Sequence, residues 1–131
     1  MTPTVPARAR RAGAPDGVPA SRNEVLLVGR LTVAAEEREL PSGDVLVAFR
    51  VVVDRPPPRR PVPEGVRVPT VDSVACVAWS AGQRRTALAL EPGDVVEVRG
   101  AVRQRFWRAG TGLGSRTEVE VAGLRRVARG G

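Results

Sequence analysis

Arg103, Arg105 and Trp107 recur at every second position of RQRFWRAG (103–110), in a chain whose only aromatic side chains are two tryptophans and two phenylalanines. Side chains alternate along a strand, so these three share one face while Gln104 and Phe106 share the other. A flat indole between guanidinium groups can stack on an unpaired base while the arginines take phosphates, whereas a duplex offers only stacked, inaccessible bases. The competing reading buries Trp107 in the core and lets its arginines snorkel outward, which one strand face accommodates poorly. Phe106, on the opposite face, is expected in the core.

Further groups extend this chemistry. Trp79 ends VDSVACVAW (71–79) on the side of Ser73, Ala75 and Val77; Val74, Cys76 and Ala78 face the other way, making Cys76 a small core residue and not a reactive thiol. Arg50 alternates with Phe49, which puts a ring inside and a guanidinium outside. Arg59 and Arg60 lie in RPPPRRPVPEGVRVP (55–69), whose six prolines predict an extended, semi-rigid loop. That loop either presents charge to phosphate or is a plain spacer.

Other chemistries lack material. With no histidine and a single cysteine, the common acid/base, nucleophile and metal constellations cannot be assembled, so no catalytic residue, cofactor or metal is expected. All 21 basic residues are arginine and the net charge is +7, which favours a polyanionic partner; a merely soluble arginine-rich surface is the alternative. The lone cysteine, the lack of an apolar leader and the lack of any run of roughly 18 apolar residues point to a cytoplasmic setting without a membrane.

The elements that must position these groups are strands. Residues 1–22 combine proline, glycine, alanine and arginine without periodicity and read as a disordered basic arm, either a solubilising leader or a phosphate contact. A single domain is expected over 23–128, with 129–131 as its C-terminal end. EVLLVGRLTV (24–33), VLVAFRVVV (45–53) and VDSVACVAW are rich in β-branched residues and bounded by turn formers. AGQRRTALAL (81–90) is the one good helical stretch, stopped by EPGD. DVVEVRGAVRQRFW (94–107) and TEVEVAGLRRV (117–127) are two more strands, joined by the glycine-rich loop RAGTGLGSR. Five short strands with one helix between the third and fourth predict an all-β chain, a five-stranded OB-fold barrel, and not a sandwich of about seven strands.

In this order, NEVLLVGRLT (23–32), PSG (41–43), CVAWS (76–80), PGDVVEVRG (92–100) and TEVEVA (117–122) resemble the bacterial single-stranded DNA-binding protein (SSB) family over about residues 23–127. The resemblance implies a homo-oligomer, with a tetramer favoured, that binds single-stranded DNA with little sequence preference in replication, recombination or repair. By position, Trp79 and Trp107 match family tryptophans, and Arg103 and Arg105 match their basic companions. Two aromatics of the family pattern are missing, one near Ser73 and one replaced by the prolines after Arg55. The chain ends LRRVARGG, so an accessory short form without the family's acidic tail is expected, and recruitment of repair enzymes through such a tail is not.

Stacking contributes about 1–3 kcal/mol per base, so two tryptophans supply about 2–6 kcal/mol, whereas micromolar affinity needs about 8 kcal/mol. Arginine–phosphate contacts and several linked sites in an oligomer must provide the difference, and binding should be salt-sensitive. Two further readings stay open: an OB-fold assembly subunit with little DNA affinity, and a single-stranded RNA binder.

Overall fold

The computed structural model describes residues 17–130. Most of the expected basic arm, residues 1–16, lies outside the described residues, as does Gly131.

Alternation builds the sheet. In β3 (Val45–Asp54) Val47, Phe49 and Val51 are buried in the core while Arg50 is exposed on the other face, as the sequence predicts. β4 (Val71–Ala78) pairs antiparallel with it and sends Cys76 and Ala78 into the same core. β1 (Val25–Arg30) pairs along its length with β5 (Val95–Ala109), which forms a long hairpin with β6 (Gly112–Ala128). β6 returns to β4 through a short parallel pairing at Cys76 and Val77, and β1 meets β3 at Arg30 and Val52. The five strands therefore close into a ring in the order β1, β5, β6, β4, β3 and back to β1. This is the connectivity of an OB-fold.

A sixth strand, β2 (Glu36–Glu39), beyond the five expected, is hydrogen-bonded to the first half of β3. Its residues EERE are all exposed and carry no apolar alternation, so pairing with β3 alone defines it. α1 (Ala81–Ala89) follows β4; Ser80 caps it by accepting the N–H of Gln83, satisfying one orphan donor. Ala87 and Leu90 face inward and join the core cluster with Val96, Val98, Val119 and Val121. Burial pushes the Cys76 thiol up to about 12, so at neutral pH it is an inert core residue.

The largest departure from the sequence reading is the stretch 108–116. Expected as a glycine-rich loop, it continues the β5–β6 hairpin through Trp107 opposite Gly114 and Ala109 opposite Gly112. Only Gly110, at positive φ, and Thr111 make the turn. Phe106 is a second correction: it is 67% exposed, not in the core. At that point β5 has run past the closed ring, so neither face of the hairpin has a core behind it.

The C-terminal end is tied to the turn after α1. Asp94, buried, accepts the backbone N–H groups of Glu91 and Gly130 at 2.9 Å and the Arg126 Nε at 3.0 Å. The two backbone donors, helped by the Arg126 guanidinium, hold the Asp94 carboxyl below the usual carboxylate range. A carboxyl with a depressed folded-state pKa contributes stability above its unfolded value of about 4 and loses it as pH falls through the folded value. Between pH 5 and pH 3 the wild-type melting temperature should fall. Asp94→Asn should melt lower at pH 7 and show a shallower fall over that window; superimposable profiles would sever Asp94 from the acid limb.

Candidate nucleic-acid interface

The candidate residues gather on the outer face of the ring. Register puts Arg103 opposite Glu118, Arg105 opposite Arg116 and Trp107 opposite Gly114. These side chains and Glu120 therefore share one face of the hairpin. Trp107 is 44% exposed and its indole lies over Gly114, where any Cβ would collide with the ring. Glycine at 114 thus makes a seat for the indole, a role that the loop reading of 108–116 could not show.

Trp79 is half-buried just beyond β4, and the Arg105 guanidinium lies 4.7 Å from its ring centroid, within cation–π range. Arg105 is also ion-paired with Glu118, whose side chain is buried. Arg103 donates to Glu120 at 2.8 Å. Arg103 and Arg105 are thus both engaged with carboxylates on the neighbouring strand. The sequence alone does not show these pairs, because a last strand beginning at residue 117 fixes no register against β5.

A groove of about 830 Å³ continues this face across β2, β3 and β4. Arg50, Arg38 and Arg116 line it. Arg50 is fixed against β4: its Nε donates to Ser73 Oγ and a terminal nitrogen to the Ser73 carbonyl, each at 2.8 Å. Arg38 makes one 3.4 Å contact with Glu36, and among the described residues no carboxylate pairs with Arg116. Arg38 and Arg116 also border the smaller depression beside Trp107, which joins the groove to the tryptophan.

The structure therefore brings together Trp79, Trp107, Arg103 and Arg105, with Arg50 further along the same groove. Arg59 and Arg60 do not join them: they are exposed on the β3–β4 loop, outside the groove lining. The base of that loop is held by Arg55, whose backbone N–H donates to Thr70 and whose guanidinium donates to Asp72 at 2.7 and 2.9 Å. Sequence reasoning missed Arg38 and Arg116. Extending β6 alternation back from Glu118 would have put Arg116 on the Trp107 face; nothing in EERE marks Arg38.

Among the described residues, no group of three or more histidine, cysteine or acidic side chains could hold a metal ion, and no helix is long and apolar enough to cross a membrane. Single-stranded DNA-binding protein 3 of Listeria innocua is 32% identical over 90 residues, 69% of this chain and 53% of that protein. The single-stranded DNA-binding protein of Thermotoga maritima is 33% identical over 90 residues, 69% of this chain and 62% of that protein. The chain thus spans between about half and three-fifths of the length of these curated relatives. A solved chain described as Plasmodium falciparum SSB complex with ssDNA superposes with a TM-score of 0.64 at 19% identity, covering 82% of this chain and 96% of that one, a likeness of fold. The model of the single-strand binding protein family matches residues 22–127, all of the ring and its hairpin but the last residue of β6, and the chain belongs to that family.

Proposed function

We propose that the chain binds single-stranded DNA with little sequence preference, stacking bases on Trp107 and Trp79 and holding phosphates along the arginine-lined groove. The observation that carries this reading is Trp107: an indole almost half exposed, seated on Gly114, beside a groove edged by Arg116 and Arg38. An exposed ring on a rigid hairpin offers a π-face to any base, which makes stacking sequence-tolerant. Trp107 is the principal platform. Trp79 is the second, reached through Arg105. Arg116, Arg38, Arg50 and Arg103 take phosphates, and Arg59 and Arg60 extend the path from the loop.

DNA is favoured over RNA because the curated relatives are named for single-stranded DNA, and an accessory role in replication, recombination or repair follows from the same kinship. A homo-oligomer, with a tetramer favoured, belongs to the same proposal: Leu26 and Val28 leave an apolar row exposed on β1. Sedimentation of the free protein tests it.

The binding test is a titration with a dT oligomer at low and high salt, following tryptophan fluorescence, with a matched RNA competitor. Quenching that weakens as salt rises, with DNA competing better than RNA, is the expected result. A folded protein that shows no quenching at low salt is an assembly subunit instead.

A further inference from the structure

We propose that Glu120 is a built-in competitor for the nucleic-acid backbone, a carboxylate that occupies Arg103 at rest and must be displaced when a strand loads. The inference rests on the single-strand-binding reading above and adds to it a residue that sets affinity and salt response. The two arginine–carboxylate pairs of the hairpin differ in a way that assigns different tasks. Glu118 has a side chain only 5% exposed, and Arg105, which pairs with it, also covers Trp79. Drawing Arg105 away would leave a buried carboxylate without its partner, which is strongly unfavourable, so Arg105 stays in place as a positioning residue. In the Arg103–Glu120 pair both side chains are about half exposed, at 53% and 44%. Exposed pairs of this kind are weak and exchange readily.

Loading then proceeds by exchange of partners. The Arg103 guanidinium leaves Glu120 and forms a charge-assisted bond to a phosphodiester oxygen; no covalent bond changes. Glu120 stays beside the bound strand as an uncompensated negative charge, since its register neighbour Ala101 on β5 carries no cation. The other charged groups on this face are Arg105 and Glu118, already paired with each other, and Arg116. Glu120 therefore lowers affinity and subtracts from the cation release that normally rewards an arginine–phosphate contact.

The test is a double-mutant cycle on the full chain, read by anisotropy of a labelled dT oligomer across a salt series. Glu120→Gln should bind about 3- to 10-fold tighter at low salt, with a salt slope steeper by up to about one. Glu91→Gln, on the turn after α1 and outside the groove, reports what loss of any exposed acid does. In an Arg103→Ala background the Glu120→Gln gain should shrink clearly, because the part that acts through Arg103 is gone and only the repulsion between carboxylate and strand remains. If Glu120→Gln gains no more than Glu91→Gln while the wild type binds, the competitor role is wrong and the binding function stands. A gain of undiminished size in Arg103→Ala also overturns it, because the carboxylate then acts by repulsion alone. Should neither wild type nor Glu120→Gln bind, both proposals fall; binding by Glu120→Gln alone would be the strongest support for the competitor.

Discussion

Replacing Phe49 by alanine should lower the unfolding free energy by about 3–5 kcal/mol, the range for emptying an aromatic side chain from a packed core. Phe49 is 4% exposed and is the one aromatic ring in the core cluster, opposite Cys76 and between Val47 and Val51 on its own strand face. Val47 and Val51 beside it and Cys76 across from it are short side chains that cannot reach into the vacated volume. Collapse of the backbone is blocked as well, because β3 is held by β4 on one edge and by β2 and β1 on the other. Thermal and urea melts should show the loss as a midpoint lower by roughly 10–20 °C for a domain of this size. A loss below about 1 kcal/mol would mean that the ring relaxes around the gap and that the core lies elsewhere.

Phe49 is also a place where the fold was legible in advance. Strict alternation in VLVAFRVVV separates an inner from an outer row, and the inner row needs a closed surface behind it, which five strands and one helix supply. Alternation assigns a face but does not say what lies behind that face. Phe106 shows the difference: it falls on the predicted side of β5 yet is exposed, because the strand has by then outrun the ring. β2 was illegible for the opposite reason, since EERE has no apolar row and exists as a strand only because β3 offers it a free edge.

The site divides in the same way. The shared face of Arg103, Arg105 and Trp107 follows from a period of two and is present in the structure. Their partners depend on the register between β5 and β6, which a run of glycines conceals. RAGTGLGSR has loop composition, yet Gly114 is there to pass beneath an indole, and the pairing it continues brings Glu118 and Glu120 under the arginines. Composition reports how flexible a segment can be; pairing along a neighbouring strand decides whether it stays so.

In the proposed binding mode, the register also decides which groups carry the binding energy. With Arg105 held by buried Glu118 and Arg103 by Glu120, the arginines of the motif contribute less than free cations would, and the tryptophans carry correspondingly more. Removing both, Trp79→Ala with Trp107→Ala, should lower the free energy of binding to a dT oligomer by about 2–6 kcal/mol, at least about 30-fold in affinity. The double variant has no tryptophan left, so the measurement must be anisotropy of a labelled strand. Trp107→Ala alone should weaken binding by about 5- to 150-fold with an unchanged melting temperature, since that ring lies on the hairpin beyond the core. Trp79 is half-buried beneath Arg105, so its loss also loosens the Arg105–Glu118 pair, and part of its effect should appear as lowered stability. The residual affinity of the double variant should be electrostatic, with nearly the wild-type salt slope, because the phosphate contacts of Arg116, Arg38 and Arg50 survive. If the double variant binds as tightly as the wild type, the strand takes a path that avoids both rings, and the groove arginines alone must hold it.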